Sequence, residues 1–329
     1  MTAAGSALVT GASGFVGSHL VEELLDRGWR VRCLVRRTSS LRWIPTDRVE
    51  LAYGGVTEPG TLPEALQGVD TVFHVAGVVE APDESVYHRV NAEGTGHVAR
   101  ALRLANPGYR RFVLVSSVAA AGPSRVGSPR REEEPEQPTS PYGRSKLGGE
   151  TELKSALDDR WTILRPPAVY GPRDVGFLRL FQMVGKGMAP RFTGRPQKLT
   201  VVHVEDLVRG ILDAATHADT VNRAYFITHP EITDWDGMGR AVASALGCSY
   251  RGIKVPKGAL PVAAGVMGFL TGLIRKPNPM PPDRVRDLLE PAWTYSADAA
   301  RRDFGFAAVR DLASGIPHTA AWYRETGWL

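Results

Sequence analysis

"VTGASGFVGSHLVEELL", residues 9–25, decides the fold. A short apolar run, "ALVTG" (7–11), enters a turn holding Gly11, Gly14 and Gly17, and a helical stretch, Ser18 to Asp26, leaves it and stops before Gly28. The order is strand, glycine turn, helix. The spacing G-x-x-G-x-x-G is one residue longer in its first gap than G-x-G-x-x-G, but the physical logic is the same. Gly11 permits the tight turn, Gly14 lets the backbone approach a pyrophosphate, and Gly17 lets helix and strand pack closely. With Ser13, Phe15 and Val16 completing the turn, a pyrophosphate would lie on the helix N-terminus, whose amides and dipole favour negative charge.

Outward from this unit the pattern repeats. Apolar runs at 30–36, 49–54, 70–77, 111–117 and 161–166 alternate with helical stretches at 61–68, about 87–105 and after Pro141. Strands that are apolar throughout and separated by helices belong to a parallel sheet covered on both faces. The expected fold class is α/β, a doubly wound parallel sheet (Rossmann-like) with a smaller mixed C-terminal substrate domain. Residues 1–172 would form the dinucleotide-binding domain. "LTVVHVEDLVRGILDA" (199–214) and "AYFIT" (224–228) suggest a returning contribution from about 199–228, which leaves 173–198 and 229–329 for the substrate domain.

Composition narrows the function. The chain has 329 residues, 43% hydrophobic and 23% charged, ordinary for a soluble globular protein. Its net charge of +5 is spread over scattered pairs such as Arg110-Arg111 and Arg301-Arg302, with no aromatic-interleaved stripe, so no nucleic-acid surface is expected. Cys33 and Cys248 form neither a metal spacing nor a disulfide framework, and the N-terminus has no basic region before its apolar run. The expected location is cytoplasmic.

The end of the second strand bears on which dinucleotide binds. An acid there would accept the ribose hydroxyls of NAD, whereas a cation would meet the 2′-phosphate of NADP. "CLVRRTSS" (33–40) places Arg36 and Arg37 at that point, with Thr38 and Ser39 as further donors. Solvated loop arginines are the plainer reading. Arginine's planar fork suits a phosphate, so NADP is the expected cofactor, with NAD possible.

In "SPYGRSK" (140–146) Tyr142 and Lys146 stand four apart behind a turn-forming Ser-Pro. On a helix they share a face, and a cation beside a phenol favours the phenolate. The pair could exchange protons near neutral pH or could simply be a solvated helix face.

Together these residues resemble the extended short-chain dehydrogenase/reductase family. The resemblance rests on "TGASGFVG" (10–17), "HVAG" (74–77), "VNAEGT" (90–95), "VLVSSVAAAG" (113–122), "YGRSK" (142–146), "RPPAVYGP" (165–172) and "VHVEDLV" (202–208). It implies that Tyr142 is the acid/base and that Lys146 lowers its pKa and holds the nicotinamide ribose. Of two adjacent serines, alignment on "VAAAG" favours Ser117 over Ser116 as the group steadying the reacting oxygen. Asn91 would help order the helix under the site, or is an ordinary helix-start residue. His74, Ala76 and Gly77 would line the cofactor's path, although His74 could equally be a satisfied strand-end histidine. Pro167 and Val169 would flank the nicotinamide.

The match has departures. The family's Asp after the third strand, which contacts adenine, is Gly55 here in "YGGVTE" (53–58). The acidic "REEEPEQPTSPYG" (131–143) reads as a solvated approach loop. Val118–Ala121 replaces the Thr-Asp-Glu run of dehydratases, and Arg173, Arg191 and Arg195 are only loose candidates for a nucleoside diphosphate. The expected enzyme is an NADP-preferring oxidoreductase for the carbonyl or secondary alcohol of a small, mainly apolar substrate. The alternatives are a nucleotide-sugar epimerase/dehydratase with resident NAD and a non-catalytic dinucleotide-binding protein. The apolar stretch 255–276 reads as a buried or lid helix, or else as a rim for a membrane surface or lipid-like substrate. Steroid dehydrogenases and flavonol-type reductases of the family carry comparable segments. Segment 176–195 is expected to cover the pocket. Family habit suggests a homodimer through the helices after strands four and five.

Overall fold

The opening strand β1 (Ser6–Thr10) is buried along its whole length. Its alternate residues serve two cores: Ala7 and Val9 face one, Leu8 the other. That demands helices on both faces of the sheet. The computed structural model describes residues 5–193, 197–256, 258, 265 and 282–329.

Beside β1 run β2 (Arg30–Val35) and β4 (Thr71–His74), both parallel to it. β3 (Glu50–Tyr53) extends one side, and β5 (Arg111–Val115) and β6 (Trp161–Arg165) the other. Next in the chain come β7 (Ala168–Tyr170), β8 (Met188–Thr193) and β9 (Lys198–His203). β10 (Arg223–Phe226) then returns to complete the sheet, in the order β10-β6-β5-β4-β1-β2-β3. The order reverses between β1 and β4, and a crevice at such a switch point, outside the strands' carboxyl ends, is where ligands bind in these sheets.

One face is covered by α1 (Phe15–Asp26), whose Leu20, Val21 and Leu24 meet Cys33, Phe73 and Val113. The other is covered by α2 (Leu62–Leu66), α3 (Glu84–Tyr87) running on into α4 (Gly94–Ala105), a short α5 (Val118–Ala121) and α6 (Pro141–Ala156). Leu66, Val98, Leu102 and Leu153 pack there on Val72, Leu114 and Ile163. Each such side chain taken out of water stabilises the fold by roughly 1.5–3 kcal/mol.

Beyond the main sheet α7 (Val175–Gly185), α8 (Val204–Thr216) and α9 (Trp235–Leu246) follow. Leu207 and Ile211 of α8 join the α1 face. β9 pairs with β7, with β11 (Ile232–Thr233) and, further on, with β13 (Ala292–Trp293), while β8 pairs with β12 (Arg251–Pro256). A third core joins Tyr170, Phe181, Val184 and Met238 to Ile316 and Tyr323 of the last helix, Leu312–Glu325.

Three expectations change. α1 begins at Phe15 rather than Ser18, because extended Gly14 (φ −82°, ψ 177°) is its N-cap and no capping side chain marks the start. The helix expected at 87–105 is broken by a π-helical turn, His88–Glu93. The acidic loop 131–143 is not simply solvated: Glu132 accepts the Phe226 amide at 2.8 Å and Glu136 pairs with Arg165 at 2.8 Å. Segment 255–276 lies almost wholly outside the described residues. Among those described, no helix is long and apolar enough to cross a membrane.

Candidate active site

The glycine turn lies at the switch point, and each of its glycines has its own reason. Gly11 has φ +70°, and a Cβ on it would sit 2.7 Å from the Ala76 nitrogen at the end of β4. A Cβ on Gly17 would be 2.1 Å from the Gly11 carbonyl oxygen, so the helix could not seat on the turn. Gly14 differs. It is exposed, and its Cβ would meet only the Gly11 oxygen, at 3.2 Å, so the protein itself scarcely needs a glycine there. α1 also has no side-chain cap and no acid in its first turn. Unshielded amides behind an open glycine suit an incoming anion, and these residues fit a dinucleotide's pyrophosphate. Ser13, Phe15 and Val16 are half-buried around it, with Phe15 edge-on to His19.

Arg36 and Arg37 follow β2 into solvent. The Arg37 guanidinium lies 5.1 Å from the Tyr53 ring, and Ser39 closes a turn by accepting the Arg36 amide at 3.1 Å. Among the described residues no carboxylate pairs with either arginine.

Across the switch point α6 carries Tyr142 and Lys146. Its N-cap Ser140 accepts the Gly143 amide, and Pro141 starts the first turn. Lys146 is buried, and its Nζ donates to the Val115 carbonyl at 2.8 Å, at the end of β5. Burial lowers its pKa to about 8, against the opposing pull of Glu150. Tyr142 is half-buried, its ring 6.0 Å from that of buried Tyr87, whose hydroxyl donates to the Val79 carbonyl.

The two serines separate. Ser116 is buried and donates to Glu150 at 2.6 Å, within an ion pair of Glu150 with Arg165. Ser117 is half-buried, and its Oγ accepts the Ala119 amide as the cap of α5. α5 is pressed onto α6: a Cβ on Gly143 would lie 2.4 Å from the Ala119 carbonyl. The turn bearing Ser117 and the turn bearing Tyr142 are therefore held together.

Asn91 sits in the π-helical turn, buried. It accepts the Val78 amide at 2.8 Å and donates to the Val78 carbonyl and to Ser145 Oγ, while Ser145 donates to the Tyr142 carbonyl. Asn91 thus ties the loop after β4 to α6 and is a positioning residue. Gly77 is exposed, with its Cβ position 3.0 Å from Asn91 Oδ1 and 3.6 Å from Lys146 Nζ. Ala76 is half-buried, its amide donating to Thr10 Oγ1.

His74 is a buried strand-end histidine with both ring nitrogens engaged. Its side chain is enclosed, Nδ1 against Thr10 Oγ1 at 2.9 Å and Nε2 against Thr95 Oγ1 at 3.1 Å, and burial holds its pKa near 3. Because Thr95 already donates to the Asn91 carbonyl, the neutral imidazole must donate from Nε2. Pro167 is buried and Val169 half-buried beyond β6. Arg173 is engaged within the protein: it bonds Ser18 and Glu22 and lies 4.9 Å from the Trp43 ring. The side chain of Arg191, and Arg195 entirely, lie outside the described residues.

Sequence reasoning missed Tyr87, Ser145, Thr95 and the Glu150–Arg165 pair. Glu150 had a signal, four residues after Lys146 on the same helix face. Tyr87 had none, because its partner is 55 positions away in the chain.

The arrangement sets a phenol, a hydroxyl and a buried ammonium on packed neighbouring turns, at the same strand ends as the glycine turn. Comparison with known proteins gives the family. The NAD dependent epimerase/dehydratase family matches residues 7–227. A ceramide reductase of Caulobacter vibrioides is 32% identical over 99% of this chain and 97% of its own length. A 3 beta-hydroxysteroid dehydrogenase/Delta 5-->4-isomerase of Mycobacterium tuberculosis is 30% identical over 98% of this chain and 91% of its own. The crystal structure of gox2253 superposes with a TM-score of 0.82 at 28% identity, covering 98% of this chain and 99% of that one. The chain is an enzyme and belongs to the NAD dependent epimerase/dehydratase family.

Proposed function

We propose that the chain is an NADP(H)-preferring oxidoreductase that interconverts a carbonyl and a secondary alcohol on a mainly apolar, lipid-class molecule. The observation that carries this reading is Tyr142 and Lys146 on α6, clamped by Gly143 against the turn bearing Ser117, beside an uncapped glycine turn. A nicotinamide dinucleotide bound there would supply or take up the hydride.

The chain's own groups handle everything else. In reduction the Tyr142 phenol gives its proton to the carbonyl oxygen, and in oxidation the phenolate takes it from the alcohol. Ser117 donates a hydrogen bond to the same oxygen. The Lys146 ammonium, fixed by the Val115 carbonyl, favours the phenolate and so keeps that proton labile near neutral pH. Asn91 and Ser145 keep α6 aligned with the loop after β4.

Two unpaired arginines at the end of β2, with no acid there, support NADP. The lipid class is supported by relatives named as a ceramide reductase and a 3 beta-hydroxysteroid dehydrogenase. Val118–Ala121, aliphatic throughout, offers no second acid or base for dehydration.

The test uses NADPH deuterated at the transferable position, offered with a long-chain N-acyl amino ketone and a 3-ketosteroid. Mass spectrometry is expected to find deuterium on the carbinol carbon, and none with Tyr142→Phe. Tightly retained NAD⁺, epimerisation of a nucleotide sugar and no label transfer to either ketone would overturn the reading.

A further inference from the structure

The dinucleotide reading leaves the adenine end without an obvious partner, because Gly55 offers no side chain. Three strand ends lie abreast there: Leu34 stands opposite Thr10, Val35 opposite Tyr53, and the Gly54 amide donates to the Val35 carbonyl at 3.0 Å. With a pyrophosphate on Gly14, the adenosine half of a dinucleotide runs over this side of the switch point.

Gly55 itself is buried. Its amide donates to Thr61 Oγ1, and its carbonyl accepts the Glu58 amide at 2.9 Å, closing a turn. That turn folds Glu58 back over the glycine. The nearest atoms to a Cβ built on Gly55 all belong to Glu58, with Oε1 at 3.3 Å, Cδ at 3.5 Å and Cγ at 3.8 Å. The exposed Glu58 carboxylate therefore lies beside the point from which a side chain at 55 would start. Among the described residues no cation neutralises it.

We propose that Glu58 is the acceptor for the exocyclic amine of adenine, taking the place of the side chain absent at Gly55. The proposal rests on the dinucleotide reading. A carboxylate accepts hydrogen bonds and cannot donate one, so it should favour a purine with an amine at C6 over one with a carbonyl. Glutamine at 58 has both an acceptor and a donor and would not discriminate.

Calorimetric titration of the whole chain with NADP⁺ and with its hypoxanthine counterpart tests this without measuring turnover. The wild-type chain is expected to bind NADP⁺ about tenfold more tightly, the size of one lost charge-assisted hydrogen bond. Glu58→Gln should bring the two within about twofold. Gly55 has no positive φ, so an acid fits its backbone, and Gly55→Asp combined with Glu58→Ala should restore the preference. An unchanged wild-type ratio in Glu58→Gln would overturn the assignment while leaving the cofactor site standing. A wild-type chain that binds neither dinucleotide would overturn both.

Discussion

The Lys146 ammonium lies 2.8 Å from the Val115 carbonyl oxygen, so the cation of α6 is anchored to the strand that leads into Ser117. Burial lowers its pKa to about 8, from an unfolded value of 10.5. It is charged below that value and neutral above it. Dinucleotide affinity, followed by fluorescence from pH 6 to 10, should be flat at the acid end and weaken as pH rises through about 8. Lys146→Met should bind more weakly and lose that dependence. The linkage to stability has the opposite sign: between about 8 and 10.5 the unfolded chain holds more protons at this site, so its contribution to stability rises with pH.

Gly14 and Gly17 should respond differently to the same added methyl. Gly14→Ala meets only one oxygen at 3.2 Å and should cost about 1 kcal/mol or less, yet weaken dinucleotide binding at least tenfold. Gly17→Ala drives a Cβ into the Gly11 carbonyl and should cost about 3 kcal/mol. Urea unfolding combined with calorimetric titration separates the two.

Glu150 is wholly buried and holds both Arg165, itself 1% exposed, and Ser116. Glu150→Ala leaves a buried guanidinium with only Glu136 as an acidic partner among the described residues and should destabilise the chain by about 3–5 kcal/mol. A loss under 1 kcal/mol in urea unfolding would contradict this placement.

Thr95→Val removes the acceptor for His74 Nε2 without changing shape. The imidazole N–H is then buried without a partner, at a cost of about 1–3 kcal/mol. Because Thr95 also holds the Asn91 carbonyl, dinucleotide binding should weaken alongside stability.

What could be read from the sequence was whatever is local. Gly11, Gly14 and Gly17 announce a turn by their spacing, and Tyr142 and Lys146 a shared helix face by theirs. Alternating apolar runs announce the parallel sheet, since strands buried on both sides carry few polar residues. What was not legible depends on pairs distant in the chain. His74 looks the same in sequence whether it faces a cleft or two threonines, and only β1 and α4 packing beside β4 decides it. The π-helical turn at His88–Glu93 has no composition of its own, and the nearness of the Glu58 side chain to Gly55 appears only once the turn between them has closed.

Titration of NADPH and NADH against the wild-type chain, Arg36→Ala and Arg37→Ala tests the central claim most directly, after any dinucleotide retained on purification has been identified by mass. The account predicts exchangeable binding with NADPH favoured at least tenfold over NADH, and a preference that shrinks in the arginine variants because each removes a charged donor from the 2′-phosphate. Tightly retained NAD⁺, with no measurable affinity for NADPH and no effect of either arginine, would contradict it.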